Sequence, residues 1–178
     1  LTRENQATAA AALALLALQT GDTDDGLARF ARIEAVSDRV YGDDWSSHMN
    51  LLQLYASALR AARRYPEALR VFRKFLAVQP PAPPGSKSLP WPGFAELLAA
   101  AGERDEALAE YERRIAYAVE LEQTGGNAPA RQMGRDQRLA DLRARAEVRR
   151  SAGDVAGADA DLAEVRKIEQ GPPVPPDP

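Results

Sequence analysis

Few side chains in this sequence have the chemistry of a catalytic or metal site. There is no cysteine and one histidine, His48, among 178 residues. Disulfides, thiol catalysis and cysteine-ligated zinc are therefore excluded, and a histidine metal site or a Ser-His-Asp triad is disfavoured. The sequence also lacks a phosphate loop of the form G-x4-G-K-[ST], an H-E-x-x-H motif and a serine elbow. We predict that the protein is not an enzyme and needs no metal or other cofactor.

Paired carboxylates are the next feature with chemical potential. The pairs Asp24–Asp25, Asp43–Asp44 and Asp105–Glu106 each stand at the start of a predicted helix. Carboxylates at that position accept hydrogen bonds from free backbone amides and offset the helix dipole. The pairs therefore predict helix starts.

The histidine and the two tryptophans could also belong to a site. His48 falls in the first turn of a predicted helix, beside the candidate caps Ser46 and Ser47, and this position predicts a polar surface residue. Trp45 and Trp91 could be exposed binding aromatics, but each precedes or enters a predicted helix, where an indole packs well. We predict that both tryptophans pack in the core.

The composition indicates which elements position these residues. The chain has 35 Ala against 17 residues of Val, Ile and Thr, a balance that favours helix over sheet. Between breaks rich in Gly and Pro, apolar residues recur at helical spacing, as in Leu69, Phe72 and Phe75. We predict an all-α protein of eight helices, paired as four hairpins. The predicted helices cover about residues 5–19, 24–40, 47–62, 66–78, 91–101, 104–123, 130–151 and 155–168.

An internal repeat relates the four hairpins. Their second helices open with TGDTDDGLARFARI, ARRYPEALRVFRKF, AGERDEALAEYERR and AGDVAGADADLAEV. Each segment has a small residue followed four residues later by a larger apolar one. The small residue lets two helices approach closely, and the large one fills the space toward the next hairpin. The pairs are Gly26 and Phe30, Ala68 and Phe72, Ala107 and Tyr111, and Ala158 and Leu162.

These units resemble the tetratricopeptide repeat family, whose 34-residue pattern has W-x2-L-G-x2-Y in its first helix and a small–large series in its second. The second unit matches best, with Leu52, Tyr55, Ala56, Leu59, Ala68, Phe72 and Pro80 at the family positions. Trp91 takes the aromatic position in the third unit, whereas Ala10 stands there in the first. In the fourth unit Arg145 and Arg149 replace apolar residues, which predicts the solvated outer face of a terminal repeat. The resemblance implies a helical-hairpin α-solenoid that binds proteins.

The units are longer than the family period. The aligned small residues lie 42, 39 and 51 residues apart, and the first spacing is similar to that of kinesin-light-chain-like repeats. We predict a repeat domain over residues 1–170, with units at about 7–41, 47–80, 88–124 and 130–169. The proline-rich residues 171–178 are predicted to form a disordered tail, with a polyproline ligand as the alternative. Because the chain begins at Leu1 rather than Met, we expect a piece of a longer polypeptide.

Charge is distributed unevenly along the chain. Residues 48–89 carry a net charge of +6 between neighbours of −4 and −5, although the whole chain carries −3. Two interpretations remain open: complementary packing of adjacent units, or attraction of an acidic peptide or carboxylate. The cations of this basic patch are Arg63, Arg64, Arg70, Arg73 and Lys74, with Arg60 beside them.

The resemblance places the binding groove on the first helix of each unit. By alignment, the inward positions are Asn50, Gln53, Ser57, Arg60, Glu96, Arg143, Glu147 and Arg150. This polar surface of mixed charge suits an extended peptide or a partner helix. The Lys and Asn that hold a C-terminal carboxylate in co-chaperone members are absent from the aligned positions, which disfavours chaperone-tail binding.

The remaining predictions concern other partners. The acidic net charge and the lack of aromatics interleaved with the basic patch disfavour nucleic acid. The apolar stretch Ala7–Leu18 is too short to span a bilayer and predicts a buried helix. Cytoplasmic and periplasmic locations are both compatible with the sequence. We therefore predict a non-catalytic interaction scaffold, and the alternative is a self-associating structural or regulatory region, that is, a homo-oligomer.

Overall fold

A computed structural model describes residues 3–42, 44–79, 91 and 93–175, and of residues 3 and 4 it describes the backbone alone. These residues contain nine helices and no strand. The helices are α1 (Arg3–Gln19), α2 (Thr23–Glu34), α3 (Ser37–Tyr41), α4 (Trp45–Ala61), α5 (Tyr65–Ala77), α6 (Phe94–Ala101), α7 (Arg104–Thr124), α8 (Ala128–Ser151) and α9 (Val155–Gln170). The predicted all-α fold of helical hairpins is confirmed.

The chain divides into two compact units, residues 1–86 and residues 87–178. In the first unit, α1 packs on α2, α4 packs on α5, and α2 also packs on α4. A Cβ added at Gly26 would lie 2.7 Å from Cγ of Leu18 and 3.0 Å from the carbonyl oxygen of Ala14. The glycine therefore permits close approach of α1 and α2. One turn later, Phe30 is fully buried and its ring stacks on that of Tyr55 in α4, with centroids 5.5 Å apart.

The second unit is built around α8. This helix packs against both α7 and α9, and α7 also packs against α6. A Cβ at Gly134 would lie 2.5 Å from the amide nitrogen of Glu122, so the backbones of α7 and α8 nearly touch there. Its core includes two small apolar clusters. They consist of Ala95, Tyr111 and Val148, and of Leu142, Val165 and Ile168.

Side-chain caps begin four of the helices. The carboxylates of Asp22, Asp44 and Asp154 and the amide oxygen of Asn127 each accept a hydrogen bond from the amide three residues later. Asp44, rather than Ser46 or Ser47, caps α4. The predicted role of the carboxylate pairs is confirmed, because the other described members lie in the first turns of α2 and α7. Asp43 lies outside the described residues.

The predicted helix over residues 24–40 is interrupted after Glu34, and this part of the prediction is wrong. The hydroxyl of Ser37 donates to the carbonyl oxygen of Glu34 at 2.8 Å. The amide of Val36 donates to Ile33, three residues back, rather than four. The chain turns at this point, and the short helix α3 follows.

The third hairpin begins later than predicted. Gly93 has φ of +80°, a left-handed conformation that glycine adopts without strain, and α6 therefore begins at Phe94 instead of residue 91. Trp91 is half-buried. Pro92 and the predicted unit boundaries at residues 80 and 88 lie outside the described residues.

Trp45 is not a core residue, contrary to the prediction. It is the first residue of α4, and 49% of its surface is exposed. The indole lies at the N-terminus of α4, so no earlier turn of that helix covers it.

Two arginines of α8 contact the proline-rich segment. Arg135 donates to the carbonyl oxygens of Ile168 and Pro172, and Arg131 donates to that of Pro175 at 3.0 Å. Polyproline-type backbone makes no internal hydrogen bonds, so its carbonyls are available to such donors. Residues 176–178 lie outside the described part, and disorder of the tail stays a prediction.

Candidate functional site

One face of α4 is polar, exposed and unpaired. Asn50, Gln53, Ser57 and Arg60 are spaced by three or four residues, so they lie along one side of the helix. All four are exposed, and none forms a hydrogen bond or ion pair with another described residue. We call these four residues the α4 face. Its amide, hydroxyl and guanidinium groups can both donate to and accept from a peptide backbone.

Packing on the opposite side of α4 holds this face in position. Leu51, Leu52, Tyr55, Ala56 and Leu59 are buried in the first unit. Because the helix is anchored by five buried side chains, the four exposed groups keep a fixed spacing. Rigid presentation of this kind lowers the entropy lost on binding.

The predicted groove residues of the second unit are placed differently. Glu96 on α6 accepts two hydrogen bonds from Arg114 at 2.9 and 3.0 Å. On α8, Arg143 pairs with Glu169 and Arg150 pairs with Asp159. Glu147 is exposed. Most of these side chains already have partners within the second unit, so the predicted groove residues that lack a partner among the described residues lie mainly on α4.

The basic patch is largely neutralised by neighbouring acids. Arg64 donates to both carboxylate oxygens of Glu67 at 2.5 and 2.6 Å. Arg70 and Lys74 on α5 both bind Glu34 on α2, and Lys74 also binds Asp38 at 3.1 Å. These ion pairs join α5 to α2 and α3. They favour complementary packing of adjacent hairpins as the explanation for the positive charges of Arg70 and Lys74.

The pKa of Glu34 reflects this arrangement. Burial alone would raise the pKa, but hydrogen bonds from Arg70 and Lys74 outweigh burial, and the pKa is lowered from its ordinary value. The carboxylate of Glu34 is therefore ionised at neutral pH and links α2 to α5.

Arg60 and Arg63 differ from the other cations of the first unit's second hairpin. Both are exposed, and neither pairs with another described residue. Arg63 also has φ of +58°, the left-handed region that costs an L-residue about 1–2 kcal/mol. At the equivalent turn of the other three hairpins stand Gly21, Gly102 and Gly153, with φ of +85° to +89°. Arginine is thus retained in a position that favours glycine, and strained residues of this kind are enriched at binding sites.

The residues of α4 were predicted from the sequence, but the strain at Arg63 was missed. The signal was present in the repeat alignment, where glycine occurs in the first, third and fourth hairpins and arginine in the second. An arginine at a left-handed position that glycine occupies in the other hairpins is therefore a candidate binding residue.

His48 is buried, which overturns the prediction of a surface residue. Only 4% of it is exposed; its Nε2 lies 2.9 Å from the hydroxyl of Ser37 and 3.5 Å from Oδ1 of Asp38, and its ring stacks on Tyr41. The sequence could not reveal this cluster, because it forms only where α3 turns back onto α4. In a catalytic triad, Ser and Asp contact different nitrogens of the histidine ring, and the Ser hydroxyl is open to the substrate. Here Ser37 and Asp38 both approach Nε2 of His48, and Ser37 is fully buried, so the arrangement is not a triad.

The buried position of His48 predicts a pH dependence of stability. Burial lowers the pKa of His48 below its ordinary value, although Asp38 opposes the shift. Below the ordinary pKa of about 6.5, the unfolded chain binds a proton that the folded chain rejects. The contribution of neutral His48 to the free energy of unfolding is therefore complete above pH 6.5, and it is lost as the pH falls toward the lower pKa of the folded protein.

We expect the urea midpoint of the native chain to fall more steeply between about pH 7 and pH 5 than that of a His48→Gln variant, which keeps a donor for Ser37. The difference between the two midpoints should shrink as the pH falls. Since the chain has one histidine, a proton NMR titration gives its folded pKa directly. A pKa at or above the ordinary value would contradict this prediction.

The predicted solvated face at Arg145 and Arg149 is also wrong. Their side chains are only 14% and 21% exposed, and both pair with Asp161, which is 4% exposed. The arginines therefore tie α8 to α9 in place of apolar contacts.

A second buried ion pair joins α7 to α8. Arg114 lies 2.7 Å from Oδ1 of Asp141, with side-chain exposures of 10% and 1%. Gln137 donates to the other carboxylate oxygen at 3.0 Å. Burial raises the pKa of Asp141, although the hydrogen bonds from Gln137 and Arg114 lower it. Arg114 also lies over the ring of Tyr111, whose pKa burial raises to about 12.

The part of the chain that the structure describes contains no group of three His, Cys, Asp or Glu residues suited to a metal ion. Across the same residues, no helix combines the length and apolarity that crossing a membrane requires.

Residues 5–80 match the family model of the tetratricopeptide repeat. The matched segment contains α1 to α5, including the α4 face. No curated protein and no solved structure matches the chain.

Proposed function

We propose, from the premise that residues 5–80 are tetratricopeptide repeats, that this chain is a non-catalytic scaffold that binds an extended acidic peptide along the α4 face. Repeats of this family are generally modules for protein–protein interaction. The observation that carries the proposal is the line of exposed, unpaired groups Asn50, Gln53, Ser57 and Arg60. The amides and the hydroxyl would bind the peptide backbone, which fixes its direction.

The acidic character of the proposed peptide follows from two arginines. Arg60 lies in the last turn of α4, and Arg63 lies in the turn that follows. Their guanidinium groups lack carboxylate partners among the described residues, whereas Arg64, Arg70 and Lys74 are paired. Each guanidinium can bind a carboxylate through two parallel hydrogen bonds.

The test is selection from a random peptide library displayed on phage, with the intact chain as the target. We expect enrichment of Asp and Glu, and binding weakened about 10- to 100-fold by Arg60→Ala with Arg63→Gly, because hydrogen bonds to charged groups contribute about 1.5–3 kcal/mol. Arg63→Gly relieves the left-handed strain, so we expect the double variant to stay folded, and circular dichroism checks this.

Arg166→Ala is the matched control, because this exposed arginine lies on α9 in the other unit. It removes one positive charge, as each substitution of the double variant does, at a position far along the chain from the α4 face. If the Arg166 variant loses as much affinity as the double variant, or if the selected peptides show no acidic preference, the proposal is wrong.

Self-association is the second candidate function, and one observation favours it. Leu13 and Leu16 on α1 are 51% and 54% exposed, and Ala9 and Ala12 beside them are also exposed. An apolar helix face of this kind can pack against a second copy. Sedimentation of the intact chain over a range of concentrations separates the candidates, since a constant monomer mass excludes self-association.

A further inference from the structure

A cavity in the first unit lies apart from the α4 face. It opens between the first half of α1, the end of α2 and the helix α3, and its volume is about 460 Å³. Volumes of this size are typical of small-molecule sites. Ala7, Ala10, Ile33, Val36 and Val40 form its apolar lining.

Ala10 of α1 is smaller than the residues at the aligned position of two other units. In the repeat alignment, Ala10 corresponds to Leu52, which is fully buried, and to Trp91. The volume that a leucine or tryptophan side chain would occupy is left vacant between Ala10 and the apolar residues of α2 and α3.

The polar part of the cavity wall is basic. Arg32 and Arg39 line it together with Gln6. Neither guanidinium pairs with another described residue, whereas Arg29 of the same hairpin is bound to Asp25 at 2.6 Å. This cationic pair stands in a segment whose net charge is otherwise negative, because residues 1–47 carry −4. An open apolar pocket flanked by two guanidiniums without partners among the described residues is complementary to a ligand that has an aliphatic body and an anionic head.

We propose that this cavity binds a small aliphatic carboxylate. The hydrocarbon chain would lie against Ala7, Ala10, Ile33 and Val36, where it is removed from water. Its carboxylate would be held between Arg32 and Arg39, since planar guanidinium groups bind carboxylates through paired hydrogen bonds. This site is independent of the peptide surface on α4.

The experiment titrates the intact chain with octanoate below its micellar range, and follows methyl and amide resonances by NMR. We expect saturable shifts at Ala7, Ala10 and Ile33. The neutral isostere 1-octanol and the cation octyltrimethylammonium should bind at least about tenfold more weakly, because each lacks the charge-assisted hydrogen bonds.

Two variants test the two halves of the site. Arg32→Gln with Arg39→Gln removes the cations and should weaken octanoate binding by about tenfold or more. Ala10→Leu fills the cavity with the side chain found at the aligned position of the second unit, and it should abolish binding while the thermal midpoint stays equal or rises. Arg166→Gln is the matched control and should bind octanoate as the native chain does.

The outcomes separate this site from the peptide surface. Arg60→Ala with Arg63→Gly should leave octanoate binding unchanged, and Ala10→Leu should leave peptide binding unchanged. Equal affinity for octanoate and octanol would overturn the proposal, as would shifts centred on the exposed Leu13 and Leu16. Undiminished binding by folded Ala10→Leu would overturn it as well.

Discussion

Replacing Arg114 with Met is expected to lower the free energy of unfolding of the second unit by about 3–5 kcal/mol, the usual loss when one partner of a buried ion pair is removed. Asp141, 1% exposed, would remain in the core with Gln137 as its remaining polar side-chain partner. Either its charge stays unpaired, or the carboxylate takes up a proton at a free-energy cost. Trp91 belongs to the second unit and reports its unfolding by fluorescence in a Trp45→Phe background.

Two comparisons separate the buried pair from the more exposed contact of Arg114 with Glu96, which Arg114→Met also removes. Arg150→Met makes the same substitution in an exposed pair, since Arg150 and Asp159 are 54% and 65% exposed, and we expect a loss below about 1 kcal/mol. Arg114→Met with Asp141→Leu removes both charges, and should recover much of the stability lost by the single variant. If Arg114→Met and Arg150→Met have equal effects, the buried pair contributes no more than a surface pair.

Helical periodicity explains why the hairpins could be predicted. Apolar residues at spacings of three and four, interrupted by Gly and Pro, determine local helix formation and which side of each helix is buried. The residues of the α4 face were predicted from the alignment with the repeat family, and their spacing of three and four residues places them away from the buried side chains of Leu52, Tyr55 and Leu59. The break after Glu34 does not follow, since it depends on Ser37 bonding to a backbone carbonyl that Lys74 also reaches from α5.

Long-range pairing limits what the sequence can reveal about the site. Glu96, Arg143 and Arg150 occupy the positions that the repeat alignment indicates, yet their side chains pair with acids or bases on α7 and α9. Side chains of several rotatable bonds reach partners that no periodic pattern specifies. The prediction of solvated side chains at Arg145 and Arg149 is wrong for the same reason. Both arginines pair with Asp161, which lies near them only because α8 packs against α9.

The small–large pairs of the repeat make a second strong prediction, at Phe30. Replacing Phe30 with Ala should lower the free energy of unfolding of the first unit by about 3–5 kcal/mol, because the change removes a fully buried ring and leaves a cavity. The loss of stacking on Tyr55 adds to this effect, since aromatic pairs contribute about 0.5–1.5 kcal/mol beyond burial. Trp45 lies in the first unit and reports its unfolding in a Trp91→Phe background.

Phe72 provides the matched control, because it occupies the same repeat position one hairpin later but is only half-buried. Phe72→Ala removes the same atoms and should cost less than Phe30→Ala, because a smaller apolar area of Phe72 is taken from water. Equal losses would mean that the repeat position, rather than burial, determines the stability. A larger loss at Phe30 would mean that the stability of the first unit depends on the contact between α2 and α4. The Phe30 ring stacks there on Tyr55, which lies on the buried side of α4, opposite the α4 face.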